Sequence, residues 1–360
     1  MFRCRYLVRA AAVAAVAMAG GCAFAPGMQA DAGMPPVVTI TARIDELQQH
    51  AADAGPAEQV LALTAAPAST GYAIGPGDVL AISVLHHPEL ASPAMRGDAV
   101  AAKAEGFVVD GQGRLSFPYA DSLPVAGKTV EQARDALAAA LSRFFHAPRV
   151  NLRVLEYRSR KIYVAGAVRS PGKQAITDVP MTLAQALSDA GGLSPSGDSS
   201  WIWLYRDGQA YRLDLPALGR HGIGSERIHL RDQDRIRIDE RMDHPVFVAG
   251  EVGAPRPLPL HGGSLSLGEA LAEAGSISQV SADSRNVYVV RLENAASTPT
   301  VYRLDARTPV GLALAARFPL RPNDLVYVQP SGLVRWNRVM NLLLSSSMVL
   351  YNSRRAGDDR

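Results

Sequence analysis

Two stretches of this chain are copies of one another, and no other feature of the sequence restricts its fold as much. Val164, Ala165, Gly166 and Val168 recur 84 positions later as Val248, Ala249, Gly250 and Val252. The same shift carries Leu183, Ala186, Leu187, Ala190 and Gly191 onto Leu267, Ala270, Leu271, Ala274 and Gly275. A strand-like run and a helix-spaced run are thus duplicated in register, the mark of tandem modules. Each copy closes on a matching strand. Leu230, Arg231 and Asp234 are answered by Leu320, Arg321 and Asp324, now 90 positions on because loops absorb the difference. The expected module is a small sheet packed on one helix. At 360 residues, 48% hydrophobic and 20% charged, the chain has room for about two to four domains.

Ahead of the repeats a compact region begins at Tyr72. Gly75, Pro76, Gly77 and Asp78 form a turn before an alternating strand over residues 79–85. Further strands are expected at residues 114–117 and 150–155. Residues 129–145 have helical spacing, with Val130, Ala133, Leu137, Leu141 and Phe144 on one face. All three expected helices begin as capping boxes, Thr129 with Gln132, Thr182 with Gln185 and Ser266 with Glu269. Residues 23–71 are rich in Ala and Pro, with one short helix-like run near residues 44–49, and read as a tether or wrapping arm.

The N-terminus reads as a leader: Arg3, Arg5 and Arg9, an apolar stretch too short to span a bilayer, then Ala19, Gly20 and Gly21 before Cys22. A thiol directly after small residues resembles the bacterial lipobox, although Ala19 stands where leucine is preferred. Ala23 after the cysteine favours sorting to an outer membrane by the same resemblance. The only cysteines are Cys4 and Cys22, so the body holds no intrachain disulfide or cysteine-ligated metal. There are 37 basic and 34 acidic residues, and loss of the three leader arginines brings the counts level. A neutral mature chain lacks the phosphate-seeking charge of a nucleic-acid binder. Any steering of an acidic polymer has to be local.

Motifs with a chemical look have plainer explanations. Gly127, Lys128 and Thr129 spell the tail of a phosphate loop, but Ser122 stands where its first glycine belongs, and Thr129 is a helix cap. His86, His87 and Glu89 are too close together on a strand end to converge on one ion, with Pro88 turning the chain away. Neither a zincin helix motif nor a nucleophile elbow occurs. No catalytic residue, metal or cofactor is expected.

Residues 335–353 make a helix-length run of about 28 Å at about 1.5 Å per residue, close to the thickness of a bilayer core. On a helical wheel Asn337, Arg338, Asn341, Ser345 and Asn352 share one arc of about 100°, with Met348 as the apolar exception. The rest of the circumference is mostly apolar. A lone span of this kind would put polar groups into hydrocarbon, whereas in a ring of copies the polar arcs can line a shared lumen. Trp336 and Tyr351 fit the two interfacial belts, and Arg354 with Arg355 the far headgroup layer.

With these residues in view, the chain resembles the Wza-type outer-membrane polysaccharide export proteins along nearly its whole length. The carrying segments, in the family's order, are residues 72–84 (YAIGPGDVLAISV), 87–90 (HPEL), 117–119 (FPY), 125–129 (VAGKT), 173–180 (KQAITDVP) and 335–341 (RWNRVMN). The resemblance implies a multidomain α+β fold. Its parts would be a signal peptide (1–21), a lipidated arm (22–71), a polysaccharide-export domain (72–158), two SLBB β-grasp repeats (159–240 and 241–331) and an outer-membrane helix with a tail (332–360). It also implies acylation at Cys22, a membrane helix starting at Trp336 and Asn337, an octameric ring and a mostly periplasmic body. The implied partners are membrane lipid, the polysaccharide and an inner-membrane co-polymerase, often a tyrosine autokinase. The arm and residues 348–360 match the family poorly. The expected function is passive export of capsular or extracellular polysaccharide. The rivals are a periplasmic glycan-binding adaptor paired with a separate β-barrel, and, more remotely, a glycan hydrolase.

Overall fold

The computed structural model describes residues 37–41, 58–65, 71–91, 106–292 and 298–334. They divide between two units, residues 55–241 and residues 1–54 with 242–360. Cys22, the 44–49 run and everything from residue 335 lie outside the described residues. Among those described, no helix is long and apolar enough to cross a membrane.

The chain opens with strand β1 (Val37–Thr39), which belongs to the second unit, and helix α1 (Glu58–Leu61), which starts the first. Next come β2 (Val79–Val84), β3 (Phe107–Val108), a hairpin of β4 (Arg114–Phe117) and β5 (Ala120–Pro124), helix α2 (Val130–Leu141) and β6 (Val150–Glu156). Strand β2 is central, antiparallel to both β3 and β6. The alternation expected there is absent: Val79, Leu80, Ala81 and Ile82 are all buried, and Leu85 falls outside the strand, exposed. A near-continuous apolar run fits a strand covered on both faces better than one with a wet side.

Helix α2 turns Ala133, Leu137 and Leu141 into the core with Leu80, Ile82, Leu115 and Phe117. It ends at Leu141, so Phe144 leaves the helical face assigned to it and is 59% exposed. Its capping box is complete: Gln132 N donates to Thr129 Oγ1 at 3.2 Å, and Thr129 N to Gln132 Oε1 at 3.1 Å.

The first repeat follows as β7 (Lys161–Gly166), β8 (Gly172–Ala175), α3 (Leu183–Asp189), β9 (Gly197–Arg206), β10 (Gln209–Leu213), α4 (Leu215–Arg220) and β11 (Arg235–Glu240). Its sheet runs β10-β9-β11-β7-β8, with only β11 and β7 parallel. Val60 and Leu63 of the N-terminal arm complete its core. The cap of α3 is only half a box. Thr182 accepts from Gln185 N, but the Gln185 amide bonds Asp189 one turn on, at 2.8 Å, an i,i+4 pairing that competes with reaching back.

In the second unit β12 (Val246–Gly250), β13 (Arg256–Leu258), α5 (Leu267–Glu273), β14 (Ala282–Arg291), β15 (Thr300–Leu304), α6 (Pro309–Arg317) and β16 (Leu325–Pro330) repeat the first series element for element. Each repeat therefore has two helices where one was expected. The second of each pair, α4 and α6, follows the hairpin, is capped by Asp214 or Thr308 and carries Pro in its first turn. The arm, for which a tether and a wrapping arm are both expected, contributes to the folds. Strand β1 joins β15 in parallel, so the six-stranded order is β1-β15-β14-β16-β12-β13. Part of the arm is thus built into each unit's fold rather than lying beyond it as a tether.

The duplicated glycine has a steric cause. Gly166 (φ 84°) and Gly250 (φ 89°) end the strands paired in parallel with β11 and β16, and a Cβ on either would collide with the carbonyl oxygen of Ile238 or Val328. Gly250→Ala is expected to cost more than about 2 kcal/mol through left-handed backbone strain and backbone displacement. Gly172→Ala, where a Cβ meets nothing within 4 Å, serves as the control. Urea denaturation of the two variants checks this, and equal midpoints would contradict it.

Candidate functional site

One local device recurs three times and organises the body. Gly75, Pro76, Gly77 and Asp78 form a turn in which Asp78 N donates to Gly75 O at 3.2 Å, Gly77 takes φ 91°, and Gly75 N donates to Asp78 Oδ2 at 2.8 Å. Residues 231–234 and 321–324 do the same, with positive φ at Gln233 and Asn323, and with Arg231 N and Arg321 N donating to Asp234 and Asp324 at 2.7 and 2.8 Å. Positive φ at the third position alone is the type II signature. Each turn delivers a carboxylate about 1% exposed or less and leads directly into the central strand of its sheet, β2, β11 or β16.

In the repeats the carboxylate meets a buried arginine. Arg206 grips Asp234 through Nε at 2.9 Å and Nη2 at 2.6 Å, and Arg291 grips Asp324 at 3.0 and 2.7 Å. The same Nη2 groups also donate to His229 O and Pro319 O. Such forked pairs are charge-assisted and geometrically specific. The aspartates are visible in the repeat alignment, but their arginine partners are not, because they sit 85 positions apart, out of step with both offsets. The signal that could have found them is an arginine ending the strand before the hairpin in both copies.

Asp78 has no arginine. Its Oδ1 accepts from Arg158 N and Ser159 N, both at 2.9 Å, and its Oδ2 accepts from the Tyr72 hydroxyl at 2.7 Å and the Ser159 hydroxyl at 3.1 Å, besides Gly75 N. This one side chain fastens the region around β2 to the segment that enters the first repeat. Burial pushes the Tyr72 hydroxyl far above its ordinary value and Asp78 adds to this, while the Ser159 hydroxyl, 2.7 Å away and sharing its one proton between Tyr72 Oη and Asp78 Oδ2, opposes it. The phenol therefore remains a donor.

The other singled-out motifs are placed as follows. Gly127 N donates to Ile74 O and Ile74 N to Lys128 O, so that segment pairs with backbone. His87 Nδ1 lies 3.0 Å from Glu89 Oε1, and its ring packs edge-on against Phe145 at 4.5 Å. Phe145 and Phe144 also flank Tyr119, at 5.3 and 5.4 Å, which makes an exposed aromatic patch. Among the described residues no group of His, Cys, Asp and Glu could hold a metal ion. Cys22, Trp336, Asn337, Arg338, Asn341, Ser345, Tyr351 and Asn352 lie outside those residues.

Comparison with known proteins supplies a context for this architecture. The family model for polysaccharide biosynthesis/export proteins matches residues 66–155, and the SLBB domain model matches 160–238 and 244–328. The chain is 43% identical over 354 residues to the EPS I polysaccharide export outer membrane protein EpsA of Ralstonia solanacearum, covering 93% of this chain and 94% of that one. It is 24% identical to the capsule polysaccharide export protein BexD of Haemophilus influenzae over 76% of each chain. It is 23% identical to the Vi polysaccharide export protein VexA/TviF of Salmonella typhi over 73% of this chain and 75% of the relative.

Proposed function

Because this chain belongs to the Wza-type outer-membrane polysaccharide export family, we propose that it is the conduit itself, carrying the polymer outward without altering it. Export of polysaccharide at the outer membrane is its role. The observation that carries the conduit reading is 43% identity, along 93% of the chain, to a protein named for export at that membrane.

In this reading Cys22 is acylated and anchors the arm, the body stands in the periplasm, and the chain assembles as a ring of eight copies. Residues 335–353 cross the membrane, with Asn337, Arg338, Asn341, Ser345 and Asn352 toward a water-filled lumen and Trp336 and Tyr351 at its two interfaces. An inner-membrane co-polymerase, often a tyrosine autokinase, meets the periplasmic side. Polymerisation there supplies the driving force, so the ring needs a hydrated path and a body stiff enough to hold it open. The buried Arg–Asp pairs and the Asp78 clamp suit that demand.

Complementation tests it. A strain lacking the protein should hold polymer in its periplasm, and the full chain should restore surface polymer. Cys22→Ser should restore little, with the variant missing from the outer-membrane fraction. Undiminished surface polymer without the protein would contradict the conduit. Normal outer-membrane recovery of Cys22→Ser would contradict the anchor.

A further inference from the structure

The outer face of the first repeat's sheet carries chemistry that its fold does not require. Along β7, β9 and β11 the side chains alternate, Ile162, Val164, Ile202, Leu204, Ile236 and Ile238 entering the core. Their neighbours share the other face, because residues paired across strands point the same way. One row there sets Tyr163, Arg235 and Tyr205 side by side, and Lys173 on β8 extends it beyond Tyr163. The next row sets Ala165, Arg237 and Trp203. Tyr163, Tyr205, Arg235, Ala165 and Arg237 of these rows line an open depression of about 630 Å³, whose one lining carboxylate is Asp207.

Arg237 is held by Asp239 at 3.1 Å, and Asp239 also accepts from Trp203 Nε1 at 2.9 Å. The Arg235 guanidinium and the hydroxyls of Tyr163 and Tyr205 have no partner among the described residues.

The second repeat is an internal control. Its sheet has the same pairing, yet the row equivalent to Tyr163, Arg235 and Tyr205 is Phe247, Leu325 and Val290, and the next is Ala249, Tyr327 and Tyr288. The scaffold therefore closes with no charge at these positions. Arg235 and Arg237 are additions to the first copy alone.

We propose that this face is a subsite for the exported polymer, and that the polymer it takes is acidic, with carboxylates on its sugar rings. The inference rests on the export reading and extends it to the charge of the cargo. Tyr163 and Tyr205 stand two strand spacings apart, about 10 Å. Each offers an amphipathic ring on which the C–H face of a sugar can lie. Arg235 between them can take a carboxylate through a forked pair, and Lys173 extends the positive row. A neutral glycan would leave the Arg235 guanidinium without its match.

The test uses the full chain in detergent with two labelled probes of equal length, an oligogalacturonate and a neutral maltooligosaccharide. The acidic probe should bind selectively, and more weakly as salt rises. Arg235→Leu installs the residue found at the equivalent place in the second repeat and should fold normally. It should weaken binding of the acidic probe about tenfold or more. Arg235→Lys should fall between, since it keeps charge without the fork. Tyr163→Phe should stay within about twofold, since it keeps the ring.

Equal binding of the two probes, or unchanged acidic binding in Arg235→Leu, would overturn the proposal. So would a changed oligomeric state in Arg235→Leu with binding intact, which would make the face a contact between copies. Loss of acidic binding while the chain still inserts and assembles supports the subsite. Failure to assemble in the unaltered chain would instead count against the conduit.

Discussion

Removing residues 335–360 should reduce surface polymer to the level of a strain lacking the protein altogether, while the truncated body still folds and is still sorted through Cys22. The expectation follows from lengths and faces. A helix over residues 335–353 would be about 28 Å long, against a hydrocarbon core of about 30 Å. Its polar arc would be unfavourable in lipid for one copy and satisfied only around water, so in the proposed conduit the segment would serve only where several copies meet. Nothing among the described residues can replace it as a helical span. Three readouts separate the causes: outer-membrane recovery reports sorting, the melting midpoint reports the body, and surface polymer reports the conduit. Full export by the truncated chain would favour a separate barrel with this protein as its adaptor.

Asp78→Ala should be the most damaging single substitution in the body. Five donors converge on that carboxylate: Tyr72 Oη, Gly75 N, Arg158 N, Ser159 N and Ser159 Oγ. Each one left buried and unpaired costs about 1–3 kcal/mol, and these costs do not simply add. A loss of about 4 kcal/mol is the expectation, and at roughly 2–4 °C per kcal/mol in a unit of this size the midpoint falls by about 10 °C. Removing the Thr129 cap, by comparison, costs about 1 kcal/mol. Asp78→Asn keeps the shape but turns an NH2 toward donors, so it should recover only part of the loss. A midpoint within about 2 °C of the parent for Asp78→Ala would show that the clamp is not what joins the region around β2 to the first repeat.

The parts of the fold legible in the sequence are those with a local physical signature. Gly166 and Gly250 announce themselves because a Cβ would strike the neighbouring strand. The capped helices show their hydroxyl three residues before a Gln or Glu, and the repeat fixes which strands correspond. What escaped depends on distant partners. Strand β1 is three residues long in an Ala- and Pro-rich stretch, and its pairing with β15 leaves no trace in the sequence around it. Helices α4 and α6 begin 94 positions apart, out of step with both repeat offsets, so the duplication that marks α3 and α5 does not mark them. Arg206 and Arg291 read as ordinary strand ends until Asp234 and Asp324 are seen beside them.

The same division runs through the site. The burial of Asp78 is not written in the turn that carries it, because four of its five donors come from Tyr72 and from residues 158–159, beyond the turn. The cationic row on the first repeat was hidden by alternation, which marks Arg235 and Arg237 merely as outward-facing. Only the register, setting Arg235 between two tyrosines, gives the row a shape.

Imaging of the detergent-extracted full chain tests the central claim most directly. The account predicts a closed ring with a narrow neck of membrane-spanning length, and a ring without that neck once residues 335–360 are removed. A monomer, or a ring whose neck survives the truncation, would contradict it.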